Sequence, residues 1–180
     1  CVEFSFFQSN GGMKLLSQEI VVGRESSRPQ LVSSGSLPVV TQEEFLRALD
    51  QNGKAVFEKI LEFAQARAMP IHWGTKGFSL NVDLDGTHVA VFFCYPPASV
   101  YKQSIYTTLM GRGGMSTKTA VPDDEIKRLW SKAEATGLFR PAGHELRCSI
   151  DRVFTDADLG KILSWCEEVA ATITKHGLKE

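Results

Sequence analysis

The sequence predicts an α+β fold: a mostly antiparallel sheet with about three helices packed on one face, preceded by an N-terminal β-hairpin and a linker. Three observations carry this. The extended runs are grouped together rather than alternating one by one with helices. Turn-forming pairs, Asn10-Gly11 and Asp85-Gly86, lie between neighbouring extended runs. Each helical stripe opens on its own N-terminal signal.

The first element is a hairpin. Val2, Phe4 and Phe6 alternate with polar residues, Asn10-Gly11-Gly12 supplies the turn, and Leu15 to Val22 resumes an extended pattern. Residues 23–38 are rich in Ser, Gly and Pro and have no periodicity, which reads as a linker or long surface loop. The composition break divides the chain into a hairpin and linker, 1–38, and an α+β domain, 39–180. A lone hairpin is marginally stable, so it is expected to dock on this domain or on another. The first residue is Cys1 and the chain opens directly on the strand pattern, from which the reading expects a further segment upstream.

Thr41 and Glu44 have the spacing of a capping box, and Phe45, Leu46 and Leu49 follow on one helical face. Asn52-Gly53 is expected to interrupt this helix. It resumes with Phe57, Ile60, Leu61 and Ala64 at the i, i+3, i+4, i+7 spacing, and Pro70 marks its exit. Extended runs follow at 71–73, 78–83 and 88–94, ended by Pro96-Pro97, with a fourth expected over 99–109. Gly111 to Met115 reads as a loop and Ser116 to Ala120 as a polar stretch. Pro122-Asp-Asp-Glu125 then opens a helix with its acids at the positive end of the dipole. Its stripe is Ile126, Leu129, Trp130 and Ala133, and Gly137 closes it. Residues 145–150 alternate as a strand. Thr155 and Asp158 cap the last helix, whose stripe is Leu159, Ile162, Leu163, Cys166, Val169, Ala170 and Ile173.

Composition narrows the function classes. The 180 residues are 43% hydrophobic and 23% charged, ordinary values that argue against wholesale disorder. A chain of this length buries roughly two thirds of its unfolded surface, so folding requires neither disulfide nor metal. Twenty basic residues against twenty-one acidic ones leave a net charge of -1, which excludes a globally basic nucleic-acid binder but not a local basic patch. No apolar run approaches a membrane span of about 20 residues and no signal peptide is readable; the expected location is cytoplasmic. The cysteines (Cys1, Cys94, Cys148, Cys166) have no CxxC spacing, and the pattern fits buried free thiols.

Catalytic motifs are not found. Asp83 and Asp85 are assigned to hairpin-turn chemistry because Asp85 precedes Gly86. The single Glu-x-Lys, Glu125-Ile-Lys127, lies on a helical turn, whereas a PD-(D/E)xK nuclease carries it on a strand. His72, His88, His144 and His176 show no HExxH and no i, i+4 pair among themselves. Neither GxSxG, Walker A nor GxGxxG occurs. The reading therefore names no catalytic residue and no metal ligand, and leaves any cofactor unassigned.

Two binding candidates stand out. The segment 101–120 holds Lys102, Arg112 and Lys118 and no acid, with glycines, two tyrosines and several hydroxyls. A basic, hydroxyl-bearing, glycine-rich segment suits phosphate contacts. Lys76, in Gly74-Thr-Lys-Gly77, joins that set. The second candidate is a small-molecule or nucleotide pocket framed by His72, Trp73, Tyr95 and Tyr101.

The opening segment VEFSFFQSNGGMKLLSQEIVV, the linker and FEKILEFAQARAMPIHWGTKGFSLNV together resemble the non-catalytic C-terminal accessory regions of bacterial restriction- or repair-type nucleases of the PD-(D/E)xK-associated kind. The resemblance covers residues 1–95. It implies a domain working beside DNA or RNA, with cleavage carried by an upstream catalytic domain of the same gene product. The expected function is therefore a non-catalytic accessory domain contacting nucleic-acid backbone through Lys76, Lys102, Arg112 and Lys118. The alternatives are the small-molecule pocket and a protein-interaction module using the N-terminal hairpin, by strand addition or homo-oligomerisation.

Overall fold

The computed structural model describes residues 2–8, 14–20, 38–111 and 113–179. The chain divides into two compact units, Cys1–Ser36 and Leu37–Glu180. In the first, strands β1 (Val2–Gln8) and β2 (Lys14–Ile20) pair antiparallel, Val2 opposite Ile20 and Gln8 opposite Lys14. The linker expected over 23–38 lies outside the described residues save its last, Pro38, as do Cys1, the turn at Asn10-Gly11 and the side chains of Phe4, Phe6 and Phe7.

The second unit is α+β. Helices α1 (Gln42–Ala48) and α2 (Gln51–Ala66) precede strands β3 (Ile71–Trp73), β4 (Phe78–Leu84), β5 (Thr87–Tyr95) and β6 (Ser104–Thr107). A single turn of helix, α3 (Met115–Lys118), and the longer α4 (Asp123–Ala135) lead to β7 (Arg140–Ala142), β8 (Glu145–Ser149) and the terminal helix α5 (Asp156–His176). The six strands run in the order β3-β4-β5-β6-β8-β7, every neighbour antiparallel.

The core lies on one face of this sheet. Trp73, Phe78, Cys94, Ile105 and Cys148 are register partners in a row across β3, β4, β5, β6 and β8, and all belong to the core or pack against it. Phe57 and Ile60 of α2, Leu129 of α4 and Ile162 and Val169 of α5 cover them. Alternate strand residues point to the opposite face, which no helix covers among the described residues of this unit. One irregularity shapes the sheet: Leu80 faces Phe92 while Asn81 faces Ala90, leaving Val91 as the extra residue of a β-bulge. Val91 and Phe92 are consequently both buried.

Several local expectations are corrected. The first helix breaks at Leu49-Asp50, not at Asn52-Gly53, because the Asp50 carboxylate accepts from Gly53 N at 2.8 Å and starts a new helix whose first turn contains Asn52 and Gly53. The fourth strand is four residues long, since 99–103 is spent on turns closed by Ser99 N to Pro96 O and Lys102 N to Ser99 O. The polar stretch after Gly114 begins as α3. The short strand β7 went unread; Pro141 at its centre is tolerated because β7 is a sheet edge. Trp165, absent from the α5 stripe as read, is buried and donates its indole N–H to Leu129 O at 3.0 Å. Among the described residues the helices number five, with α1 and α2 counted separately and the short α3 included.

Candidate functional site

The site is the sheet face turned away from the helices. Register places His72 opposite Ser79, Ser79 opposite Phe93, Phe93 opposite Tyr106, Tyr106 opposite Arg147, and Arg147 opposite Arg140. One transverse row therefore crosses all six strands, from a histidine at one edge to two arginines at the other. With neighbouring strands about 4.8 Å apart, it spans roughly 24 Å.

Aromatic rings fill the middle of this face. Tyr95 and Tyr101 lie with ring centroids 4.3 Å apart at 32°, and Tyr106 meets both edge-on, 5.7 Å from Tyr95 and 5.3 Å from Tyr101. Phe93 extends the cluster, 6.2 Å from Tyr95. None of the four belongs to the hydrophobic core, and Tyr101 is 36% exposed. Partial burial pushes the Tyr95 phenol up to about 12, so it stays neutral at physiological pH. Cations flank the cluster: Lys76 Nζ lies 5.6 Å from the Tyr101 ring centroid and the Arg147 guanidinium 6.0 Å from that of Tyr106.

Backbone geometry holds the two sides in place. Gly74 N donates to Gly77 O at 2.7 Å, closing the turn that carries Lys76. A Cβ on Gly77 would come within 2.0 Å of Cys94 O, so only glycine lets this turn lie against β5. At the other edge, Arg140 and Arg147 face each other across the strands, a like-charge pairing that is unfavourable unless something screens it. Neither forms an ion pair with a carboxylate among the described residues, and Arg147 Nε is buried without a hydrogen-bond partner there. Both line a depression of about 370 Å³ together with Ser149, Asp151 and Arg152, and Arg152 is itself held by Asp158 at 2.9 Å.

The four residues read from the sequence as a pocket do come together. His72, Trp73, Tyr95 and Tyr101 line one depression of about 410 Å³, with the 74–77 turn and Phe93 in its wall. The four cations read as phosphate contacts are placed less uniformly. Lys76 lies over Tyr101 and Lys102 immediately follows that ring, with a left-handed backbone at φ +58°. Lys118 is engaged, donating to the carbonyl of His88. Arg112 lies outside the described residues. Tyr106 comes from the 101–120 segment marked in the sequence, whereas Phe93, Arg140 and Arg147 carry no sequence signal for this face. A larger depression of about 580 Å³ has Met110, Ile126, Trp130 and His144 in its wall and sits apart from the aromatic face.

On the β3–β5 side of the sheet His72, Asp83 and His88 converge. The Asp85-Gly86 turn, with φ +47° and +79°, sets Asp83 directly opposite His88, and the Asp83 carboxylate accepts a hydrogen bond from Nδ1–H of the His88 ring. The His72 ring meets His88 edge-on with centroids 3.9 Å apart. Cys94, Cys148 and Cys166 are free and buried; burial pushes the Cys148 thiol up to about 12 and the other two also above the ordinary range, which leaves none of them a ready nucleophile.

Comparison of the chain with family models, with curated proteins and with solved structures finds no match in any of the three. No helix among the described residues is long and apolar enough to cross a membrane.

Proposed function

We propose that this chain is a non-catalytic module that binds single-stranded nucleic acid on the helix-free face of its sheet, acting as an accessory domain of a larger nucleic-acid-processing protein. The observation that carries the reading is the Tyr95–Tyr101–Tyr106 cluster outside the core, with Lys76 on one side and Arg147 and Arg140 on the other. Aromatic rings left partly exposed offer stacking surfaces to any base, and flanking cations track the phosphates between them. A row of roughly 24 Å exceeds a single small ligand and suits several nucleotides in extended form. Delegation of cleavage to an upstream domain rests on the nuclease-accessory resemblance, and a cytoplasmic location accompanies it.

Fluorescence anisotropy with a labelled single-stranded oligonucleotide of about a dozen nucleotides tests this. Tyr95→Ala and Tyr106→Ala are each expected to weaken binding by about 1–3 kcal/mol, the usual worth of one stacked base. Arg147→Glu is expected to weaken it across sequences and to flatten the salt dependence. A wild-type chain that binds no single strand at low salt, or variants that bind as tightly as wild type, would overturn the reading.

The depression lined by His72, Trp73, Tyr95 and Tyr101 favours a second reading, a site for one nucleotide or comparable small molecule. Affinity for a mononucleotide equal to that for the oligonucleotide, unaffected by Arg147→Glu, would select it.

A further inference from the structure

We propose that His72, Asp83 and His88 form a binding site for a late first-row divalent cation of the Zn²⁺ type. Three strands supply one ligand each: His72 from β3, Asp83 from β4 and His88 from β5. One ligand atom from each residue lies within 4.8 Å of the other two. Bonds of about 2.0–2.2 Å place neighbouring ligand atoms roughly 3–3.5 Å apart around such an ion. Side-chain adjustments of about one to two ångströms therefore bring the three to a common ion, the hydrogen-bonded Asp83 and His88 parting slightly to admit it.

The donor set selects the ion. Two imidazole nitrogens and one carboxylate oxygen suit Zn²⁺, Co²⁺, Ni²⁺ or Fe²⁺, whereas Ca²⁺ and Mg²⁺ prefer shells made of oxygen. Three protein ligands leave coordination positions free for water or an anion, the arrangement of an open rather than a closed structural site. Asp83 and His88 are 43% and 47% exposed, so an ion has a path in.

The plain alternative is a surface Asp–His pair on a hairpin. Such a pair contributes little to stability and accounts for Asp83 and His88 alone. It gives no reason for a second imidazole from another strand to lie edge-on against the first at 3.9 Å. Lys118, which reaches this corner, is spent on the His88 carbonyl. The site stands on its own geometry and does not depend on nucleic-acid binding, although His72 also lies in the wall of the aromatic depression.

Isothermal titration of the full untagged chain with ZnCl₂, and the visible absorption of the chain with CoCl₂, test the proposal. One ion per chain is expected, with weaker binding of MgCl₂ and CaCl₂. His72→Ala, His88→Ala and Asp83→Asn should each reduce affinity about tenfold or more, while His144→Ala, His176→Ala and Cys1→Ser leave it unchanged. Asp83→Asn keeps a side chain that can still hydrogen-bond His88, so a folded variant remains measurable. The proposal fails if wild type takes up no Zn²⁺ at tens of micromolar, if binding survives His72→Ala and Asp83→Asn intact, or if it is lost with Cys1, His144 or His176 instead.

Discussion

Glu145 gathers the backbone donors of the segment between β6 and α3 onto one carboxylate. Its carboxylate accepts from Thr107 Oγ1 at 2.6 Å, Leu109 N at 3.0 Å, Met110 N at 2.7 Å and Gly111 N at 2.5 Å. Backbone N–H groups left without a partner are costly once removed from water, and bonds to an ionised acceptor are about twice as strong as neutral ones. Glu145→Gln replaces one accepting oxygen by an NH₂ that opposes the N–H groups it should receive. The variant is expected to lose about 1–3 kcal/mol in urea denaturation, while Glu145→Ala, which leaves the three backbone donors without their carboxylate, loses more. A wild-type midpoint for Glu145→Gln would show that water serves these donors equally well. Nothing in the sequence marks Glu145 for this role, because its partners lie more than thirty residues away.

At the scale of elements, a buried glutamine ties α2 to β8. Gln103 Nε2 donates to Asp50 Oδ1 at 2.7 Å and to Ile150 O at 2.8 Å, its Oε1 accepts from Asp50 N, and its own carbonyl accepts from Ile150 N at 2.9 Å. Gly53 leaves room for it, since a Cβ there would lie 2.2 Å from Gln103 Oε1. Gln103→Ala is expected to cost about 1–3 kcal/mol for the orphaned partners. Gly53→Ala should also destabilise despite alanine's better helix propensity, because the added methyl group displaces the same glutamine; equilibrium urea curves read both. The local signals for these elements were legible: Thr41 with Glu44, Thr155 with Asp158 and the Asp85-Gly86 turn all act as read. That turn already implied Asp83 opposite His88. The sites were less legible because their geometry is non-local. Tyr106 meets Arg147 only because β8 inserts beside β6 after an excursion of about forty residues through α3, α4 and β7, and no periodicity within either strand encodes that pairing. His72 reaches the Asp83–His88 pair through strand β3, whose register against β4 is set outside its own three residues.

For the whole molecule, charge placement predicts how stability depends on pH. Backbone N–H of Gly53, then Gln103, hold Asp50 below the ordinary carboxylate value; the Arg152 side chain, then Thr155 N–H, do so for Asp158; Thr41 does so for Glu44, and Lys59 for Asp156. A carboxyl with a lower pKa folded than unfolded favours folding above the unfolded value and loses that contribution as pH falls through it, because the unfolded chain then binds more protons. The acid limb should therefore begin near pH 4–5 and steepen below it. The buried thiols have the opposite displacement: burial raises Cys148 to about 12, and Cys94 and Cys166 are raised likewise. The unfolded chain releases those protons near pH 8.5 while the folded one retains them, so stability is full below that value and declines as pH rises beyond it. Urea midpoints measured under reducing conditions from pH 3 to 10 should trace a plateau falling at both ends. Asp50→Asn and Asp158→Asn should flatten the acid limb and leave the alkaline one, and Cys148→Ala should do the reverse, since the methyl group keeps most of the buried volume but has no proton to lose. A profile that stays level from pH 8 to 10 would mean that the three thiols are not held in the apolar core on the helix-covered side of the sheet. The division between a sealed face and a partly exposed aromatic face, on which the proposed nucleic-acid site depends, would then fail with it.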